Sequence, residues 1–136
     1  MGVTIPGPSG EVLELFEITN SLRFNDDDSA YLTRTPSSAG NRKTWAWSGW
    51  VKRSSLGLGV SGAHQYLFSS GADSSNNGRI YLRSDDRLQI YSSSSGITQM
   101  AIVFDPIKFR DVSAWYHFLI VVDTTDATET DRVQLY

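Results

Sequence analysis

The chain has 136 residues, contains no cysteine and carries a formal net charge of −3. A chain of this length is typical of one folded domain with its own hydrophobic core. The lack of cysteine excludes disulfides, thiolate metal sites and cysteine nucleophiles. The acidic balance and the dispersed basic residues argue against a nucleic-acid partner. No apolar run approaches the roughly 18 residues that span a bilayer, so we expect no membrane insertion.

The first twenty residues differ from the rest of the chain. Residues 1–10 are rich in glycine and proline and lack both the basic and the apolar regions of a secretory signal. We expect this segment to form an extended arm that neighbouring proteins hold in place. The apolar residues between positions 11 and 18 suit either a short helix or a short strand. The sequence thus predicts an arm with a short connecting element over residues 1–20, and one domain over residues 21–136.

After position 20 the sequence alternates between short apolar segments and turns. The connecting segments are rich in serine, asparagine, aspartate and glycine. Many short strands separated by such turns are typical of an all-β sandwich or barrel. The predicted strands cover residues 21–24, 30–34, 44–53, 65–69, 79–83, 87–91, 97–104, 115–123 and 132–136.

The two predicted strands on either side of Asp85 form a hairpin whose register follows from burial. A three-residue loop pairs Leu82 with Leu88 and Ile80 with Ile90, which gathers the apolar side chains on one face. A two-residue turn would mix charged and apolar side chains on each face, so we predict the longer loop. The opposite face is then either solvated surface or a binding surface, and it carries Arg79, Tyr81, Arg83, Arg87, Gln89 and Tyr91.

The tryptophan-rich segment at residues 44–53 alternates as a strand does. Trp45 and Trp47 should face the core. Trp50 faces the other way, among small and polar residues, where a sugar ring could stack on it or a loop could cover it. The strand at 115–123 is apolar on both faces, so we predict a central strand covered on both sides. The predicted inter-sheet core combines the two core-facing tryptophans with Trp115, Leu119 and Val121.

Several stretches of the chain are similar to a known type of domain. The most specific is NRKTWAWSGWVKR at residues 41–53. Others are SLRF at 21–24, YLTRTPS at 31–37, WYHF at 115–118, VVDTT at 121–125 and DRVQLY at 131–136. Together they resemble the laminin G-like, concanavalin A-like lectin/glucanase domains of marine bacteriophage tail-fibre and structural proteins. The resemblance implies a two-sheet antiparallel jelly-roll sandwich that recognises carbohydrate or protein. Such domains usually continue beyond this last strand, so it also implies a jelly roll that is incomplete at the C-terminus.

Laminarinase-like glycosidases share this type of fold, and retaining ones need two carboxylates close together on one face. The candidate acids Glu11, Glu14 and Glu17 are spaced by three, which suits one side of a helix, and they precede the domain. His117 is expected to be a structural residue of a buried strand, and His64 lies in a glycine-rich loop without an obvious partner. No Gly-x-Ser-x-Gly motif is present. We therefore predict that the chain is not an enzyme.

Calcium is the one cofactor that the sequence could bind, because loops rich in oxygen ligands suit a hard cation. Neither of two acidic loops has the spacing of an EF-hand. Aspartate is also common in turns, where it bonds to its own backbone. A calcium site and ordinary solvated turns therefore both remain open. The candidate ligands are Asp26, Asp28, Asp123 and Asp126.

These features and the resemblance together indicate a non-enzymatic bacteriophage virion protein, either a tail fibre or a capsid decoration. Its expected partners are other virion proteins, further copies of itself and host surface glycans. The alternative is a secreted carbohydrate-active enzyme of the laminarinase type, or the sugar-binding module of such an enzyme. The candidate ligand-binding residues are Trp50, Tyr81, Arg83, Arg87 and Tyr91.

Overall fold

The computed structural model of the chain describes residues 5–6, 12–13, 19–57 and 64–136. The chain divides into two compact units, Met1–Ala39 and Gly40–Tyr136. The only helical segments among the described residues are two short 3₁₀ turns, Asp26–Asp28 and Glu129–Asp131. None of the described helices is long and apolar enough to cross a membrane. The chain is therefore all-β, as its sequence predicts.

The described residues of the first unit include two very short strands, β1 (Ile5–Pro6) and β2 (Val12–Leu13). They pair antiparallel, with Ile5 opposite Leu13. Val12–Leu13 is thus a short strand, which is one of the two forms that the apolar residues between positions 11 and 18 suit. The remaining residues up to position 18, including Glu11, Glu14 and Glu17, lie outside the described residues.

Residues 19–39 form no strand, so the strands predicted at 21–24 and 30–34 are wrong. Their large apolar side chains are exposed, namely those of Leu22, Phe24, Tyr31 and Leu32. A strand forms only where a neighbour satisfies its backbone N–H and C=O groups. No described strand pairs with these segments. Alternation in the sequence indicates that a segment favours the strand conformation, but it does not show whether a neighbouring strand is present to pair with it.

The described residues of the second unit form seven strands in two antiparallel sheets. Each strand overlaps one predicted from the sequence. The three-stranded sheet has the order β3-β8-β9 and the four-stranded sheet the order β4-β5-β6-β7. The strands are β3 (Thr44–Lys52), β4 (Gln65–Gly71), β5 (Asn77–Leu82), β6 (Leu88–Ser94), β7 (Ile97–Val103), β8 (Trp115–Asp123) and β9 (Val133–Leu135).

One cluster of buried apolar side chains joins the two sheets. The four-stranded sheet contributes aliphatic residues of β5 and β6, and the three-stranded sheet contributes residues of β8. Trp45 and Trp47 pack against this cluster, which confirms that their face of β3 is the inner one. Each fully buried side chain of this size contributes about 1.5–3 kcal/mol to stability. The cluster consists of Ile80, Leu82, Leu88, Ile90, Phe118, Ile120 and Val122.

Strand β8 is the central strand of its sheet, as predicted. It is not covered on both sides, because Trp115 and His117 are exposed on its outer face, and the face turned to the core is the opposite of the predicted one. Phe118 and Ile120 are buried. The reason is the pairing with β3, where Trp47 lies opposite Ile120 and therefore shares its face. Because β8 is apolar on both faces, alternation alone could not choose between them. The predicted core residues on the outer face are Trp115, Leu119 and Val121.

The β5–β6 hairpin has the predicted register, with Ile80 opposite Ile90 and Leu82 opposite Leu88. The N–H groups at the turn donate as a three-residue loop requires, from Arg83 to the Arg87 carbonyl at 2.8 Å and from Asp86 to the Arg83 carbonyl at 3.0 Å. Asp86 has a φ of 69°, in the left-handed region that such loops use. This register places the polar side chains of the hairpin on the outer face.

Candidate functional site

The outer face of the four-stranded sheet carries a cluster of aromatic and basic side chains, which we call the tyrosine–arginine face. Tyr66 of β4 lies opposite Tyr81 of β5, and Arg79 of β5 lies opposite Tyr91 of β6. Residues that pair across strands point to the same side of a sheet. Strand pairing therefore gathers these four side chains, and His64, just before β4, joins them through ring contacts.

The rings of this face form a floor and an exposed rim. Tyr81 is the floor, with only 8% of its surface exposed, whereas Tyr66 is 53% exposed. The ring centroid of Tyr81 lies 5.5 Å from that of Tyr66 and 4.7 Å from that of His64. Burial raises the pKa of the Tyr81 hydroxyl, and the neighbouring Tyr66 raises it further. The floor therefore stays neutral, and Tyr66 offers a ring to solvent.

Arg79 lies between two of the tyrosines. Its guanidinium carbon is 5.9 Å from the ring centroid of Tyr66 and 6.0 Å from that of Tyr91. These distances suit cation–π attraction, which holds a guanidinium without neutralising it. Among the described residues, no carboxylate lies within ion-pair distance of Arg79. The charge of Arg79 is therefore available to a ligand.

The other two arginines of this face are paired with acids. Arg87 contacts Asp85 at 2.7 Å and Asp105 at 3.0 Å, and Arg83 contacts Asp85 at 3.3 Å. The side-chain hydrogen bond from Arg87 lowers the pKa of Asp85 to about 2, against a smaller opposing effect of burial. Arg83 also donates to the amide oxygen of Gln89 at 3.1 Å. These pairs fix the shape of the face beside Arg79.

Trp50 lies elsewhere. It is on the outer face of the three-stranded sheet, 55% exposed, with its ring centroid 4.9 Å from that of His117. The core cluster lies between that face and the tyrosine–arginine face. Of the five predicted ligand-binding residues, the structure therefore brings together Tyr81, Arg83, Arg87 and Tyr91, and it separates Trp50 from them.

Ser48 and His117 form a pair that the sequence did not reveal. The Ser48 hydroxyl lies 2.9 Å from Nε2 of His117, across β3 and β8. A serine nucleophile also needs a group that orients the histidine and donors that stabilise an oxyanion. Among the described residues, no carboxylate pairs with His117, and its surroundings are an exposed sheet face. The pair therefore links two strands.

The candidate metal ligands bond to their own turns where the structure describes them. Asp28 accepts a hydrogen bond from the Asn25 side chain at 2.8 Å. Asp123 accepts one from the Thr125 N–H at 2.9 Å, and Asp126 accepts one from the Thr128 N–H at 2.7 Å.

The side-chain and backbone bonds from Thr125 lower the pKa of Asp123. The side chain of Asp26 lies outside the described residues. Within the described ranges, no three acidic, histidine or cysteine side chains converge as metal ligands do. The described acids of these loops therefore act as turn-forming residues.

A buried ionic network supports the hairpin loop and was not predicted. As whole residues, Arg53 and Asp86 are only 4% and 3% exposed. Nη2 of the arginine lies 3.0 Å from Oδ1 of the aspartate. Asp86 also accepts from the Gly57 N–H at 2.8 Å and from Nε of Arg110 at 3.1 Å. Despite the burial, these donors lower the pKa of Asp86. The network joins segments that are far apart in the chain and anchors the loop that carries Asp85.

A groove of about 610 Å³ opens beside β9. Its lining is largely apolar and includes Phe104, Ile107, Phe109, Val133 and Leu135. None of the residues of the tyrosine–arginine face lines it, and neither does Trp50. His117 also lines it, so the groove borders the outer face of the three-stranded sheet and is separate only from the tyrosine–arginine face.

No protein-family model, curated protein or solved structure matches this chain. The resemblance to concanavalin A-like domains therefore stays a prediction from the sequence.

Proposed function

We propose that the chain is a non-enzymatic recognition protein that binds host surface glycans through the tyrosine–arginine face. The observation that carries this proposal is the Arg79 guanidinium between the rings of Tyr66 and Tyr91, which forms an ion pair with no carboxylate in the part of the chain that the structure describes. The two antiparallel sheets with a shared core support a jelly-roll sandwich of the concanavalin A-like type. The sequence resemblance supports a place in a bacteriophage virion, as a tail fibre or a capsid decoration.

A sugar ring has an apolar face and a polar edge, and this surface can contact both. The half-exposed ring of Tyr66 offers a flat apolar platform for the C–H groups of a pyranose. Arg79 lies beside that platform and donates hydrogen bonds to the edge of the sugar. Rigid aromatic anchors with a few convergent polar groups are typical of small-ligand sites.

The positive charge of Arg79 selects for an acidic sugar. A guanidinium presents a planar set of donors that matches a sulfate or carboxylate with two hydrogen bonds. Arg83 and Arg87 lie on the same face, where Asp85 and Asp105 pair with them, so the three arginines of the face outnumber these two carboxylates. The face is therefore locally positive, although the chain carries a net charge of −3. A local positive potential attracts anionic ligands, and salt weakens that attraction.

The test compares two soluble polysaccharides, neutral laminarin and sulfated κ-carrageenan, by isothermal titration calorimetry against the purified chain. We expect tighter binding of the sulfated polymer. The Arg79→Gln variant should weaken that binding about tenfold, as expected for loss of one charge-assisted contact worth about 1.4 kcal/mol. The matched control is Arg42→Gln, which removes an exposed arginine of another loop and should change nothing. Binding of neither polymer, or equal binding by wild type and Arg79→Gln, would overturn the proposal.

A further inference from the structure

The outer face of the three-stranded sheet, which we call the tryptophan face, exposes two large aromatic side chains. Trp50 is 55% exposed and Trp115 is 52% exposed. Large apolar side chains that are exposed close together on a protein surface commonly mark an interaction site. Alternation places the following side chains on this face: Thr44, Ala46, Ser48, Trp50 and Lys52 of β3, and Trp115, His117, Leu119, Val121 and Asp123 of β8.

The tryptophan face is graded in side-chain size along its strands. At one end Trp50 pairs with His117, and their rings are in contact. Toward the other end Ala46 pairs with Val121, which are much smaller. Ser48 marks the middle of the face. The surface is therefore raised at one end and lower at the other.

The two ends of the tryptophan face also carry opposite charges. Lys52 lies at the raised end, opposite Trp115, and Asp123 lies at the low end, opposite Thr44. Within the described residues neither of the two charged groups forms an ion pair. Oδ1 of Asp123 accepts hydrogen bonds from Thr125, and no described group donates to Oδ2.

We propose that the tryptophan face packs against the same face of a second copy of this chain, with the strands of the two copies antiparallel. A two-fold axis through the middle of the face, near Ser48, relates the copies. This arrangement places the raised Trp50 row over the low Ala46 row of the second copy, and the reverse. It also brings Lys52 of each copy to Asp123 of the other. An interface made twice from one self-complementary patch is the usual form of a homodimer.

A parallel arrangement of the strands of the two copies is worse in both packing and charge. Strands packed parallel would place tryptophan against tryptophan and leave gaps above the small residues, which costs packing energy. The same arrangement would bring like charges together at each end, and such contacts disfavour an interface. Size and charge therefore select the same orientation independently of each other.

The dimensions of the face set the expected strength. Strands β3 and β8 each have nine residues, and β9 adds three more beside them. At about 3.4 Å per residue and about 4.8 Å between strands, the face measures roughly 30 by 14 Å. The area of the face is therefore well below the roughly 800 Å² per partner that a standard interface buries. The dimer should therefore be weak and reversible, with a dissociation constant in the micromolar range or above.

The test is sedimentation equilibrium of the full chain over a range of concentrations. Lys52→Glu alone places Glu against Asp123, and Asp123→Lys alone places Lys against Lys52. Each single variant should weaken self-association about tenfold or more, the effect of about 1.4 kcal/mol. An equimolar mixture of the two variants should restore association, because both ion pairs then form with reversed polarity in a heterodimer.

Two further variants guard against misfolding and against other interfaces. Asp123→Lys also removes turn hydrogen bonds, so Trp50→Ala, at an exposed position, serves as a second disruption and should also weaken the dimer. Tyr66→Ala on the other sheet should leave association unchanged, which separates this proposal from glycan binding. A wild-type monomer at millimolar concentration, or a dimer unaffected by Trp50→Ala, would overturn the proposal. Failure of the two charge variants to associate when mixed, with both folded by circular dichroism, would overturn the antiparallel orientation.

Discussion

Arg53 and Asp86 form an ion pair that is almost completely withdrawn from solvent, with side-chain exposures of 1% and 5%. The contact between Nη2 and Oδ1 is ionic and not an aligned hydrogen bond. Other groups complete the network, since Arg53 donates to Gln65 and Asp86 accepts from Gly57. Two charges at such a position are tolerated only because each has several partners.

Removing one member of this ion pair should therefore lower the free energy of unfolding far more than removing an exposed arginine would. We expect Arg53→Met to lower the free energy of unfolding by about 3–5 kcal/mol, because it leaves the Asp86 carboxylate buried with fewer partners. Arg42→Met, at an exposed position, should change it by less than about 0.5 kcal/mol. Urea denaturation followed by tryptophan fluorescence measures both. A loss below about 1 kcal/mol for Arg53→Met would contradict this account.

A second prediction concerns the two faces of the three-stranded sheet. Trp47 packs against the core cluster, so Trp47→Ala should cost about 3–5 kcal/mol through lost contacts and a residual cavity. Trp115 is half exposed on the outer face, so Trp115→Ala should cost less than about 1 kcal/mol in dilute solution. Thermal or urea unfolding of the two variants makes the comparison. Equal losses would mean that both faces of the three-stranded sheet are buried.

The sequence predicts the parts of this fold that depend on residues close together in the chain better than the parts that depend on long-range strand pairing. The hairpin register follows from Leu82 and Leu88, because only one register buries both and the two residues are close in the chain. The inner face of β8 is different, because both of its faces are apolar and only the pairing of Trp47 with Ile120 decides between them. Such pairing is long-range and leaves no local pattern.

The candidate site shows the same division. The outer placement of Arg79, Tyr81 and Tyr91 follows from the hairpin alone. Tyr66 and His64 join them only through the pairing of β4 with β5, which alternation does not report. Because Trp50 belongs to a different sheet, its position relative to these residues could not be predicted before the sheets were assembled.

The lowered carboxyl pKa values predict sensitivity to acid. The largest described shift is that of Asp85, to about 2 from 3.8, caused first by the Arg87 hydrogen bond. A depressed carboxyl pKa stabilises the fold above the unfolded value, and this contribution disappears as the pH falls through the folded value. The free energy of unfolding should thus be constant near neutral pH and fall between about pH 4 and pH 2.

The matched variant for this prediction is Asp85→Asn. It removes the titrating group, so the loss of stability between about pH 4 and pH 2 should shrink by about 1 kcal/mol, allowing for partial solvent screening. The Asp73 carboxyl also has a lowered pKa, from hydrogen bonds of Ser75 and Asn76, so part of the acid response should remain. Urea unfolding at a series of pH values supplies the curves. Identical pH profiles for wild type and Asp85→Asn would exclude Asp85 as a contributor.

The last prediction separates the rim of the tyrosine–arginine face from its floor. Tyr66 is half exposed and Tyr81 is buried, although the two rings are only 5.5 Å apart between centroids. Tyr66→Ala should therefore weaken binding of sulfated polysaccharide about tenfold through loss of the stacking platform. Its effect on unfolding should stay below about 1 kcal/mol. Tyr66→Phe keeps the ring and should bind as wild type does.

Tyr81→Ala should destabilise the fold itself by about 3 kcal/mol, because it removes a buried aromatic side chain. Calorimetric titration and urea unfolding of the three variants give the two quantities separately. Wild-type affinity in Tyr66→Ala would remove the aromatic platform from the proposed site and leave Arg79 to bind the anion without it.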